Sequence, residues 1–199
     1  MVESFKEMNG LEVVVSLLTK LDSEETKGAF FVCLKLLSQL EFDLLSEMAK
    51  LGIIDILMDE LETAKNPYTQ WTILQVLVNL SMNDMNSIYM RQSGLGTVGQ
   101  KMLFTNEGDY LEICESPEEA HDIVLKIEVF SLMFLRYLYS VEKNRKAFKL
   151  VFPPEIFGPF IDIGNYQSDW ERYENCLEKL SSIPEPDMKA IVQRLSEMR

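Results

Sequence analysis

The chain has 199 residues, of which 47% are hydrophobic and 26% are charged, and its formal net charge is −13. These values fit one soluble globular domain, with or without an extension, and they exclude a disordered chain. A chain this negative repels phosphate backbones and anionic lipid. We therefore expect no nucleic-acid partner and no membrane-surface partner.

The three cysteines, Cys33, Cys114 and Cys176, form no C-x-x-C pair, and His121 is the one histidine. This set cannot build a structural zinc site, and we expect neither a metal nor a cofactor. No run of 18 apolar residues could span a bilayer, and the N-terminus lacks the pattern of a secretion signal. The sequence predicts a cytoplasmic protein or a segment of a larger one, and it leaves nuclear or ciliary association open.

Three glycines, Gly10, Gly52 and Gly94, recur at a spacing of 42 residues. Apolar residues return at helical spacing after each glycine, which predicts a helix with the glycine as a sharp break before it. A second helix is predicted over 27–40 in the first unit and over 68–81 in the second. Both are apolar around most of their circumference, so we expect each to be sandwiched between neighbours.

An acidic insertion over about 104–122 interrupts the third unit. It has no apolar period, which predicts a mobile, solvated loop. The alternative is a partner-binding or phosphorylation segment, with Ser116-Pro117 and Thr105 as candidate phosphate acceptors. His121 lies among acidic residues here, a context more typical of a solvated side chain than of a general base. The helix is predicted to resume over 123–140.

A fourth unit is predicted over 146–163, with Phe152 in the position of the glycine. Phe152 follows Gly94 by 58 residues, which exceeds the period by 16 residues and nearly matches the insertion. The register of the repeat therefore survives the insertion.

A 42-residue period of paired helices lies in the range of armadillo and HEAT units. The glycine-hydrophobic start and the ending VLVNLS (76–81) resemble armadillo repeats. We expect an all-α fold, an armadillo/HEAT-like α-solenoid of three and a half to four repeats within residues 1–164. Residues 165–199 are predicted to form a helical cap or linker, with helices over 169–180 and 187–198.

Three segments of the C-terminal half are distinctive: FLRYLYS (134–140), EKNR (142–145) and FIDIGNY (160–166). They resemble the NIMA-related Ser/Thr protein kinases, in the armadillo region that precedes their kinase domain. The resemblance implies a non-catalytic, protein-binding regulatory region that acts on a kinase domain in cis. The chain contains no kinase-domain motif, so we expect no catalytic residue in it.

Two other functions stay open. The chain can be a stand-alone armadillo adaptor or scaffold with no kinase attached. More distantly, the pattern G-x-G-x-x-G from Gly94 to Gly99 could bind a nucleotide, because such glycines let the backbone approach phosphates after a strand. The preceding residues 86–92 fall where the repeat predicts a helix, so the glycines favour a helix break instead.

Asn79 is a candidate partner-binding residue, because an asparagine on the last helix of successive armadillo repeats fixes an extended ligand. Trp71 lies eight residues before it, and Leu36 and Tyr137 occupy the corresponding places in neighbouring units. The ladder of asparagines is therefore missing. We expect Asn79 to hydrogen-bond a neighbouring loop.

The chain has one dense basic cluster, formed by Lys143, Arg145, Lys146 and Lys149. At helical spacing Arg145 and Lys149 share a face. The cluster is either a plain solvated face or a docking point for an acidic segment, which could belong to a protein partner, to the kinase domain or to the insertion at 107–122. We expect a monomer or weak self-association, because a solenoid exposes apolar end faces.

Overall fold

The structure is a computed structural model that describes residues 5, 8–40 and 42–151. This part of the chain is all-α, as predicted, and contains no strand. Its helices are α1 (Gly10–Leu18), α2 (Glu24–Ser38), α3 (Phe42–Lys50), α4 (Ile53–Thr63), α5 (Pro67–Ser81), α6 (Asp84–Phe104), α7 (Pro117–Ser140) and α8 (Glu142–Val151), with a 3-10 turn at Glu107–Asp109.

The two helices predicted at 27–40 and 68–81 correspond to α2 and α5, and polar caps explain where they begin. The side chain of Ser23 accepts a hydrogen bond from the backbone N–H of Thr26 at the start of α2. Asn66 does the same for Tyr68 and Thr69 at the start of α5, where Pro67 is the first helical residue. These caps satisfy N–H groups that a helix cannot bond internally.

Of the three predicted glycine breaks, the structure shows the one at Gly52, in the second unit. Gly52 has φ 76°, a left-handed conformation that favours glycine, and it ends α3 and caps α4. In the first unit the left-handed residue is Asn9, with φ 51°. The prediction is wrong at Gly94, because α6 runs without interruption from Asp84 to Phe104.

Gly94 serves close packing instead of a break. A Cβ atom at this position would lie 2.8 Å from Cε1 of Phe134 and 3.2 Å from Cδ1 of Leu138, both on α7. The missing side chain thus lets α6 and α7 approach each other. Since the whole stretch from Gly94 to Gly99 is helical, it does not form the loop between strand and helix that nucleotide binding needs.

Helices α2, α5 and α7 lie side by side, with α5 in the middle. Helices α4 and α6 pack against each other and against this layer. The core lies between them, and its largest fully buried side chains in the described residues are Phe31, Phe134, Leu18, Leu34, Leu44, Met48, Ile53, Ile54 and Leu57. The arrangement is consistent with an α-solenoid.

One buried contact occurs twice along the chain. Asn86 donates from Nδ2 to the backbone oxygens of Leu45 and Leu80, at 3.0 and 3.1 Å. Asn144 donates in the same way to Ser87 and Leu138, both at 3.0 Å. The two asparagines are 58 residues apart, the same interval that separates Gly94 from Phe152. The register therefore continues through the insertion, as predicted.

Helix α2 departs from its prediction. Its buried residues are Phe31, Leu34 and Ser38, whereas Val32 and Leu36 are 42% and 55% exposed. Of the two helices that were predicted to be sandwiched, α5 lies between α2 and α7. Within the described residues, α2 has a neighbouring layer helix on one side only, which is α5. The rest of the fourth unit after Val151 and the predicted cap or linker at 165–199 lie outside those residues.

Replacing Gly28 and Gly94 by alanine separates the two roles of a helical glycine. Gly28→Ala meets Thr69 at an ordinary 3.8 Å, so its better helix propensity should stabilise the fold by up to about 1 kcal/mol. Gly94→Ala must displace Phe134, and overpacking of this kind costs about 1–3 kcal/mol. Urea unfolding should show opposite signs for the two variants. Equal stabilisation would contradict the close packing at Gly94.

Candidate protein-binding surfaces

Asn79 lies on α5 and bonds the neighbouring layer helix. Its Nδ2 donates to Oγ of Ser38, at 2.8 Å, and Ser38 in turn donates to the backbone oxygen of Lys35. The amide is half-buried, and its partner is the end of α2 rather than a loop. Asn79 therefore joins two adjacent layer helices.

Trp71 lies two turns before Asn79 and joins α5 to α7. Its ring meets Phe130 edge-to-face, with centroids 6.3 Å apart. The ammonium group of Lys126 lies 5.1 Å from the centroid of the Trp71 ring, and the same group contacts Asp122 at 2.5 Å. Edge-to-face pairs and cation–π contacts each contribute on the order of 0.5–1.5 kcal/mol. Trp71 is half-buried, so part of its ring is available to a partner.

The basic cluster lies on α8 at the C-terminal end of α7. Lys143, Arg145 and Lys146 are exposed, and the side chain of Lys149 lies outside the described residues. Arg145 donates from Nε to the backbone oxygen of Tyr139 and from Nη2 to that of Ser140, at 3.4 and 3.2 Å. Positive side chains are stabilising at helix C-termini. Arg145 therefore supports α7, while the two lysines face solvent.

The acidic insertion is more ordered than the sequence predicts. Tyr110 is only 6% exposed, and its hydroxyl donates to Oε1 of Gln70 on α5. Gln70 donates from Nε2 to the backbone oxygen of Ala64, at 2.7 Å. Helix α7 begins at Pro117 and not at Ile123, because Ser116 caps it. The description of 104–122 as a solvated loop is thus wrong for Tyr110 and for the residues from Pro117 onward.

Two sequence signals could have revealed this order. Ser116 and Glu119 occupy the first and fourth places of a capping box, and the Ser116 side chain accepts from the Glu119 N–H at 3.1 Å. Tyr110 is the aromatic residue of an acidic stretch, and a buried tyrosine needs a partner for its hydroxyl. Both signals are hidden by the acidic composition of the segment.

Glu119 ties the insertion to α5. Its Oε1 accepts from the hydroxyl of Tyr68, and its Oε2 accepts from the backbone N–H of Glu115 at 2.7 Å. The hydrogen bond from Tyr68 lowers the pKa of Glu119, and the same bond raises the pKa of Tyr68 to about 12. The carboxylate is therefore the ionised acceptor at neutral pH.

His121 interacts electrostatically with carboxylates from two different segments. Its Nδ1 is 2.6 Å from Oε1 of Glu107 in the 3-10 turn, and this contact raises the pKa of His121. Glu128 follows two turns along α7, where burial raises its pKa to about 7 and the charge of His121 opposes that rise. The histidine is exposed, as predicted, but it is paired.

The insertion and the basic cluster lie at opposite ends of α7. This helix has 24 residues, so about 36 Å separates its ends. Glu107 and Glu119 are at the N-terminal end, whereas Lys143 and Lys146 follow the C-terminal end. The structure does not bring the cluster to the insertion of the same molecule.

Within 5, 8–40 and 42–151, no three His, Cys, Asp or Glu side chains are grouped so that they could hold a metal ion. The helices in these ranges are also too short or too polar to cross a membrane.

Comparison with known proteins relates the chain to kinases. It is 36% identical to serine/threonine-protein kinase Nek10 of Homo sapiens over 72 residues, which are 36% of this chain and 6% of the kinase. It is 26% identical to Nek10 of Mus musculus over 123 residues, or 61% of this chain and 10% of the kinase. Serine/threonine-protein kinase D1044.8 of Caenorhabditis elegans is 25% identical over 193 residues, or 89% of this chain and 19% of the kinase.

The chain thus spans less than a fifth of the length of each of these kinases, and its homology to the NIMA-related kinase Nek10 is partial and of low identity. No protein-family model matches the chain. No solved structure matches it either.

Removing the hydroxyl of Tyr110 tests whether it anchors the insertion. Tyr110→Phe leaves the buried Oε1 of Gln70 without its donor, which should cost about 1–3 kcal/mol and speed amide exchange over 107–113. Tyr89→Phe is the matched control, because the Tyr89 hydroxyl also donates to a side chain, Asp55, but Tyr89 is 58% exposed. It should change stability by less than about 0.5 kcal/mol. Equal effects would contradict the anchor.

The raised pKa values of Glu128 and His121 predict that the free energy of unfolding falls as pH rises. Between pH 4.5, the ordinary pKa of a glutamate, and about pH 7, Glu128 is protonated in the folded state and ionised in the unfolded state. The same holds for His121 in a pH range that begins at its ordinary pKa of 6.5, where the folded state keeps the proton and the unfolded state loses it. Glu128→Gln removes the part of this fall in stability that comes from Glu128, because a glutamine does not titrate. Its advantage over the natural chain should therefore grow between pH 4.5 and 7 to about 1–2 kcal/mol, less than the full value of the shift because the carboxyl is partly solvated.

Urea unfolding between pH 4.5 and 8 measures this advantage, and a constant difference would contradict the burial of Glu128. Since His121 is the one histidine, its imidazole NMR signals report its pKa directly. Glu107→Gln should lower that pKa toward the ordinary value.

Proposed function

We propose that this chain is a non-catalytic, armadillo-type protein-interaction module, and that it is the regulatory region of a NIMA-related Ser/Thr kinase. The observation that carries the proposal is the similarity to two Nek10 kinases over no more than a tenth of their length. A single module within a much longer kinase would give such a match. The all-α structure and the repeated contacts of Asn86 and Asn144 support a repeat module.

The proposed partner surface is the strip that α2, α5 and α7 leave open. It carries the exposed Val32 and Leu36 on α2, the half-buried Trp71 and Asn79 on α5, and Phe130 on α7. Protein interfaces combine an apolar, aromatic centre with a polar rim, and tryptophan is enriched among the residues that dominate binding energy. Trp71 would be the central contact of such an interface.

The basic cluster adds an electrostatic component. Lys143 and Lys146 are exposed in a chain of net charge −13, so they can attract an acidic segment that the rest of the surface repels. In our proposal that segment belongs to the kinase domain in cis. Arg145 contributes less directly, because its guanidinium is already bonded to the end of α7.

Binding in trans tests the proposal. The full chain is titrated with the purified catalytic domain of human Nek10 at low and high salt. The double variant Lys143→Glu/Lys146→Glu should weaken low-salt binding at least about tenfold, or about 1.4 kcal/mol. Lys20→Glu/Lys50→Glu is the matched control, since it changes two other exposed lysines and produces the same net charge. The control should change binding less than about twofold.

Arg145 is retained in the test so that α7 keeps its C-terminal contacts. If the catalytic domain does not bind the natural chain at either salt concentration, the regulatory assignment is wrong. If both double variants weaken binding equally, the net charge matters and the cluster does not. If high salt leaves the affinity unchanged, the contact depends on the apolar strip alone.

A further inference from the structure

Ser116 and Pro117 form the one Ser-Pro or Thr-Pro pair in the 199 residues. We propose that Ser116 is phosphorylated by a proline-directed Ser/Thr kinase and that the phosphate displaces the Glu119 carboxylate from Tyr68. The proposal does not depend on the regulatory role described above.

The local backbone suits a kinase substrate. Ser116 is partly exposed and extended, with φ −149° and ψ 159°, and the preceding residues from Cys114 form bends. Pro117 is exposed, and its ring favours an extended residue before it. A kinase that binds an extended serine followed by proline would find both features at the surface of the folded chain.

The hydroxyl of Ser116 has its hydrogen available. Its oxygen accepts from the N–H of Glu119, and no hydrogen bond in which it donates is found among the described residues. In the transfer, the base of the kinase takes this proton while the oxygen attacks the γ-phosphorus of ATP. The bond from that phosphorus to the β-phosphate oxygen breaks, and phosphoserine and ADP are formed.

The product places a strong negative charge beside three carboxylates. A phosphoserine carries about −1.5 to −2 charges at pH 7, and Glu115, Glu118 and Glu119 all lie within three residues. The phosphate oxygens can accept hydrogen bonds from the first N–H groups of α7, as the Ser116 hydroxyl oxygen does before phosphorylation. The carboxylate of Glu119 is repelled, and it is the acceptor that holds both Tyr68 and the N–H of Glu115. The link from the insertion to α5 is thereby weakened.

Phosphate incorporation tests the site itself. The full chain and a synthetic peptide of residues 110–122 are each incubated with ATP and a purified proline-directed kinase, and phosphopeptides are mapped by mass spectrometry. We expect one phosphate at Ser116 in both, none in Ser116→Ala, and at least about a tenfold slower reaction in Pro117→Ala, which retains the hydroxyl. If the kinase phosphorylates the peptide but not the folded chain, the proposal is overturned.

Amide exchange tests the displacement. In the phosphorylated chain the N–H of Glu115 should exchange several-fold faster, and the ring signals of Tyr68 should move toward those of Glu119→Gln. The N–H of Asp109, which bonds the backbone oxygen of Asn106 in the same insertion, is the internal control and should be unchanged. If the Glu115 amide and the Tyr68 ring stay as they were after complete phosphorylation, the displacement is refuted.

Discussion

The burial of α5 on several sides is the constraint on which the rest of the structure depends. This helix contacts α2, α3, α4, α6 and α7, and its buried residues extend around most of its circumference. The positions that remain partly open, including Trp71, Gln75 and Asn79, form one strip along it. A helix held in this way cannot turn to hide that strip, because any rotation would expose residues such as Leu74 and Leu77. The candidate surface is therefore a consequence of core packing.

The sequence predicts the all-α fold and the intervals along the chain, because the signal of an interval is a distance in the sequence. The period of 42 residues and the interval of 58 residues survive in the paired contacts of Asn86 and Asn144. The sequence does not predict features that depend on which other helix lies next to a residue in the folded chain. Gly94 looks like a helix break until the ring of Phe134 is placed against it. Likewise, α2 has the apolar pattern of a buried helix, but within the described residues it packs extensively against α5 and only slightly against α1 and α3. A pattern in one helix cannot tell how many neighbours it has.

The insertion shows why composition is a poor guide to order. Its seven carboxylates predict solvation, and most of them are indeed exposed. Yet two uncharged side chains of the insertion help to determine its path, since Tyr110 donates to Gln70 and Ser116 caps α7. Order requires only enough contacts to offset the entropy of the segment, and a few buried hydrogen bonds and caps can provide them. Individual residues rather than averages should therefore be examined in such segments.

The charges of the described structure are separated along α7. The insertion places carboxylates at one end of this helix, and α8 places Lys143 and Lys146 at the other, about 36 Å away. Electrostatic interactions between exposed groups are screened beyond roughly 10 Å at 0.1 M salt, so the two ends act independently on a partner. At the acidic end, Lys126 pairs with Asp122 and balances one of its carboxylates. A partner that lay along α7 would thus meet acidic surface at one end and basic surface at the other, and complementary charges on the partner would determine its orientation.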